Sequence, residues 1–93
     1  MQNTEQVLQQ GLDAHQGGDF ALAEKNYQII LSSNPDQPET NHAMGLLMLH
    51  TGQFSAAADY FEKALQIRLQ DKTLLRAYMD ALILCERFDE ALA

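Results

Sequence analysis

Gly18-Asp19-Phe20-Ala21-Leu22-Ala23 returns 34 residues later as Gly52-Gln53-Phe54-Ser55-Ala56-Ala57. Each stretch reads as a glycine turn that opens a helix on an aromatic and then a small residue. Working outward at the same step, Gly11 recurs as Gly45, Leu12 as Leu46 and Leu31 as Leu65, while Tyr27 returns conservatively as Phe61. A second step carries Phe54 to Phe88 and Ala57 to Ala91. A fixed period of this size is the signature of a stacked array, in which each unit buries its apolar face only against its neighbours.

The local signals divide the chain into helices. The first is predicted from Asn3 or Thr4 to about His15, with Val7, Leu8, Gly11 and Leu12 on one face, and Gly17-Gly18 ending it. Asp19 is the expected cap of a second helix over about 20–33, where Phe20, Ala23, Tyr27, Ile30 and Leu31 keep helical spacing. Pro35 stops that helix, and Pro38 suits the first turn of a third, predicted over about 38–50 with Ala43, Met44, Leu47 and Met48 packed. A fourth is predicted over about 54–69, with an apolar face of Phe54, Ala57, Phe61, Ala64, Leu65 and Ile67, and with only weak capping signals at Gln53 and Ser55. Asp71 should cap a fifth over about 72–84, carrying Leu74, Leu75, Tyr78, Leu82 and Ile83. Phe88 to Ala93 reads as the start of a sixth.

Composition narrows the class. Ninety-three residues, 46% of them hydrophobic, suffice for one small globular domain. Thirteen acids against six bases give a formal charge of −7, the wrong sign for displacing counterions from nucleic acid or for meeting an anionic membrane. The single cysteine, Cys85, allows no internal disulfide. The N-terminus lacks the build of a secretory signal, and no apolar run reaches the roughly 20 residues that span a bilayer. A cytoplasmic location is the expectation.

Paired helices at this period, with these residues in phase, resemble the tetratricopeptide repeat. The first unit, residues 4–37, supplies Gly11, Gly18, Phe20, Ala23, Tyr27 and Pro35 to that pattern; Ile30 stands where a small residue is usual. The second, residues 38–71, supplies Gly45, Gly52, Phe54, Ala57, Phe61 and Ala64, with Leu69 in place of the terminal proline. A truncated third, residues 72–93, keeps Phe88 and Ala91 but has Met79 and Glu86 where the glycines would stand. The resemblance implies an all-α fold of stacked antiparallel helix hairpins forming a short right-handed α-solenoid, in which the small residues let helices approach and the rings fill the space between hairpins.

It also implies a binding surface. In this family the first helix of each pair lines a concave groove, and the repeat register carries its groove positions onto Glu5, Leu8, Leu12, His15 and Gln16 in the first unit. In the second they fall on Glu39, His42, Leu46, Leu49 and His50, and in the third on Thr73, Arg76, Asp80, Ile83 and Leu84. Leu8, Leu12, Leu46, Leu49 and Ile83 make that groove partly apolar, which suits a peptide or the face of a partner helix. Its leucines lie outside the positions the family pattern uses for internal packing. Arg76 and the histidines add contacts for a carboxylate.

Chemistry is not expected. His42 and His50 stand eight residues apart on one helix, two turns, too far to share an ion directly. Cys85 lacks a sequence-adjacent histidine and reads as a partly buried thiol. The pairs Asp59-Glu62 and Asp89-Glu90 read as solvated helix faces, and Gly17-Gly18 lacks the lysine of a phosphate loop. Neither a metal nor a cofactor is expected. The chain therefore reads as a non-enzymatic protein-interaction module, the N-terminal part of a longer protein. Two alternatives remain: self-assembly as a homodimer through the edge carrying Leu82, Ile83, Phe88 and Leu92, or a recruiting domain ahead of a bacterial transferase.

Overall fold

The computed structural model describes residues 3–85. Five helices follow in order: α1 (Thr4–Gln16), α2 (Phe20–Ser33), α3 (Pro38–His50), α4 (Phe54–Ile67) and α5 (Lys72–Leu84). No strand occurs among the described residues. The expected sixth helix, with Phe88, Ala91 and Leu92, lies outside them.

The period is visible in the caps. Asn3, Gln37 and Asp71, each one step of 34 apart, cap α1, α3 and α5 by accepting from the backbone N–H of Gln6, Thr40 and Leu74. Such a cap contributes about 1 kcal/mol by satisfying a donor the helix cannot. Gln37 was not singled out in the sequence, because Pro38 beside it carried the start signal. The turns repeat as well. Asp19 N–H donates to Ala14 C=O at 2.8 Å across Gly18, and Gln53 N–H to Met48 C=O at 2.8 Å across Gly52. Both glycines adopt positive φ, 84° and 79°, as this Schellman-type closure demands. At α4 the weak signals hold: Gln53 makes no side-chain cap.

Consecutive helices pack in antiparallel pairs, α1 on α2 and α3 on α4, and the pairs stack through α2 on α3 and α4 on α5. The first helices also touch, α1 with α3 and α3 with α5, whereas α2 and α4 do not meet. The first-helix side is thus the shorter, inner side of a short α-solenoid. The core runs along the stack as Ala23, Tyr27, Met44, Leu47, Ala57, Phe61, Ala64, Leu74, Ala81 and Leu82, all almost completely buried. Each large apolar side chain among them contributes about 1.5–3 kcal/mol.

Two buried rings set the hairpin spacing. A Cβ placed on Gly11 would stand 2.5 Å from Tyr27 Cε1, and one on Gly45 would stand 2.5 Å from Phe61 Cδ1. The helices of each pair close on one another only because these positions lack a side chain. Between the stacked pairs, Asn41 is fully buried and donates through Nδ2 to Pro35 C=O at 2.9 Å and Gln37 C=O at 3.1 Å. That amide ties the inter-repeat loop to α3.

The structure departs from the sequence expectation at several apolar positions. Phe20 lies between His15 of the first pair and His50 of the second but is incompletely covered there, at 36% exposed. Helix α4 ends two residues early, at Ile67, and Ile67 faces solvent rather than the core; Leu69, beyond the helix, is exposed as well. No proline or glycine marks that end; Arg68 leaves the helix and pairs with Glu39. Leu75 and Ile83 are exposed on α5, and their expected core places go to Ala81 with Leu74 and Leu82. Leu82 is buried, which removes it from the proposed assembly edge. Cys85 is half-buried, its Sγ 3.5 Å from Leu82 C=O.

Candidate functional site: the first-helix face

The face built from α1, α3 and α5 is sculpted at the ends of these helices. One hollow of about 610 Å³ is lined by Gln9, Leu12, Asp13, His15 and Gln16 of α1, by Gly18 and Phe20 across the turn, and by His50 from α3. A second, about 360 Å³, is lined by Leu49 of α3 and by Asp80, Ile83 and Leu84 of α5. Leu49 and His50, adjacent at the end of α3, contribute one to each. The exposed apolar surface here is Leu12, Phe20, Ile83 and Leu84, at 37%, 36%, 49% and 51%. Each hollow carries one carboxylate on its wall, Asp13 or Asp80.

Across the first hollow, His15 Nε2 and His50 Nδ1 share a hydrogen bond of 2.6 Å, whichever ring supplies the proton. Phe20 presents its ring to His15, centroid to centroid 5.5 Å at 84°, and lies 6.5 Å from the His50 ring. Burial holds the His15 pKa below its ordinary 6.5, and the neighbouring His50 adds to that lowering.

The remaining predicted residues lie elsewhere. Glu39, at the start of α3, forms an ion pair with Arg68. Both side chains are about half exposed, so the pair is worth at most about 1 kcal/mol. His42 is half-buried with its ring edge on Phe61, at 5.9 Å and 68°. Its pKa is lowered by burial, with Asp71 opposing and Arg68 assisting. Leu8, Leu46 and Leu49 are half-buried against the core, so they do serve internal packing, contrary to the sequence expectation. Arg76 is exposed on α5 and lines neither hollow.

The predicted set therefore separates into Leu12, His15, Gln16 and His50 around one hollow, Leu49, Asp80, Ile83 and Leu84 around the other, and Glu5, Leu8, Glu39, His42, Leu46, Thr73 and Arg76 outside both. The first hollow also contains Gln9, Asp13, Gly18 and Phe20, which the sequence reading did not place in the groove. Phe20 was assigned to packing by the repeat pattern, and nothing in its local sequence marks it as half-uncovered. A third hollow, about 430 Å³, lies on α4 between Ala56, Asp59, Tyr60, Glu62, Lys63 and Gln66, and contains none of the predicted residues. There Glu62 accepts from the Tyr78 hydroxyl at 3.3 Å.

Among the described residues no three His, Cys, Asp or Glu side chains gather as a metal site, and no helix is long and apolar enough to cross a membrane. No family model and no curated protein matches this sequence. Among solved structures the fold is similar to that of a point mutant of MamA. The TM-score is 0.84 at 25% sequence identity, over 99% of this chain and 67% of that one. That likeness and the 34-residue register of caps, turns and buried rings make the fold a tetratricopeptide-like helical repeat.

Proposed function

We propose that this chain is a protein-interaction module that takes a peptide or an amphipathic partner helix along its first-helix face. The observation that carries the reading is the pair of neighbouring hollows, each offering uncovered apolar side chains beside a single carboxylate. A stacked array has its core filled by its own residues, so apolar side chains left open at one face are the groups a partner can still desolvate. Asp13 and Asp80, within a chain of net charge −7, favour a ligand whose apolar residues alternate with Lys or Arg.

Leu12→Glu and Ile83→Glu place charge at positions that are already exposed and leave the core intact. With a partner captured by the wild-type protein, each should weaken binding at least about tenfold, a loss of roughly 1.4 kcal/mol, with unchanged helicity. Unaltered affinity in both variants moves the site off this face.

A second reading is self-assembly through α5. Among the described residues α5 packs only on α3 and α4, and it leaves Leu75, Met79, Ile83 and Leu84 between 40% and 51% exposed. Solution mass that stays monomeric at the highest attainable concentration ends this reading and leaves the first untouched.

A further inference from the structure

We infer that His15 and His50 form a two-imidazole site for a divalent transition-metal cation of the Cu2+, Ni2+ and Zn2+ group, bridging the first repeat to the second. The sequence hides this pair. Its members lie 35 residues apart, on different helices, and only the stacking of α1 against α3 brings them together.

The geometry is convergent. His15 Nε2 and His50 Nδ1 lie 2.6 Å apart, with ring centroids at 4.8 Å and planes at 71°, so each nitrogen faces the other. Two imidazole nitrogens bound to one cation at about 2.0–2.1 Å in tetrahedral geometry stand about 3.3 Å apart. The nitrogens need to part by about 0.7 Å and each ring to turn by roughly 35°, so that both lone pairs converge on the cation. His15 lies in the last turn of α1 and His50 is the exposed final residue of α3, so neither is locked in the core. A hydrogen bond between the rings uses one nitrogen lone pair, whereas a cation uses both; the ring that donated the proton carries it instead on its other nitrogen, so both imidazoles remain neutral.

The surroundings favour a cation with imidazole affinity. The Phe20 ring lies beside both histidines, and Gln9, Asp13 and Gln16 line the same hollow. Asp13 contributes a negative wall, and Gln9 Nε2 donates to its Oδ1 at 2.9 Å. With two protein donors, water completes the coordination, and imidazole nitrogens select Cu2+, Ni2+ and Zn2+ over Mg2+ or Ca2+. Because the donors come from two units, the bound cation stabilises the stacked form over the unstacked one.

The test is thermal unfolding of the 93-residue chain with Ni2+, with Zn2+ and with Mg2+. Ni2+ or Zn2+ at ten times its dissociation constant should raise Tm by roughly 5–10 °C, and Mg2+ should not. His15→Gln and His50→Asn keep an amide near the position of the nitrogen they replace, and each should abolish the shift; His42→Asn should retain it. No shift in the wild type, or a shift that survives in both of the first two variants, overturns the proposal. Should either variant fold poorly, Cu2+ broadening of imidazole resonances in the wild type decides. Broadening confined to His15 and His50 supports the site, and broadening centred on His42 or spread over the surface overturns it.

Discussion

Gly45 lies directly beneath the Phe61 ring, as Gly11 lies beneath Tyr27 one repeat earlier. In an isolated helix, replacing an interior glycine with alanine is stabilising by about 0.5–1 kcal/mol. Here the sign reverses. Phe61 is fully buried and its ring is the atom group in the way, so Gly45→Ala should cost about 1–3 kcal/mol by overpacking. Urea unfolding measures it, and a neutral or stabilised variant would show that the ring can move aside.

Tyr27 occupies the Phe61 place in the first repeat, yet its hydroxyl is buried with no hydrogen-bond partner among the described residues. An unsatisfied buried hydroxyl costs about 1–3 kcal/mol. Tyr27→Phe, which copies the second repeat, should therefore raise stability by about 1 kcal/mol. A lowered Tm would mean that the hydroxyl finds a partner in solution.

Asn41→Leu removes the amide that holds Pro35 and Gln37 carbonyls. A loss of about 2 kcal/mol is expected, with faster hydrogen exchange concentrated in the loop between α2 and α3. Uniform exchange across the chain would count against a stapling role.

Acidification should weaken the fold through His15 and His42. Both have folded pKa values lowered from 6.5, chiefly by burial. A depressed histidine binds fewer protons folded than unfolded, so its contribution is intact above the unfolded value of 6.5 and declines as pH falls below it toward the folded value. The Tm of the wild type should drop more between pH 7.5 and about 5 than that of a His15→Gln/His42→Gln variant. Parallel Tm–pH curves would rule this out.

Much of this architecture was legible because its boundaries are written in local chemistry. Pro35, Pro38 and the two turn glycines fix helix starts and stops through the backbone, and Asp71 through its side-chain cap on Leu74 N–H; the starts of α2, α3 and α5 follow from them. Where no such residue exists the reading overran, as at Ile67, where an ion pair between Arg68 and Glu39 accompanies the end of α4. The site was harder to see. Periodicity reports which residues share a helix face but not how deeply a neighbouring helix covers them. Leu46 and Leu12 hold equivalent repeat positions, yet Leu46 is half-buried on the core and Leu12 is open, since only Leu46 lies in the middle unit. The His15–His50 pair depends on the stagger between α1 and α3, a one-residue offset from the repeat that no single helix encodes.

The missing contact between α2 and α4 gives the stack a particular mechanics. First helices touch one another directly, whereas the second helices are linked only through the first helix of the next pair, α2 through α3 and α4 through α5. A change of bend would therefore alter the spacing of the outer row more than that of the inner one.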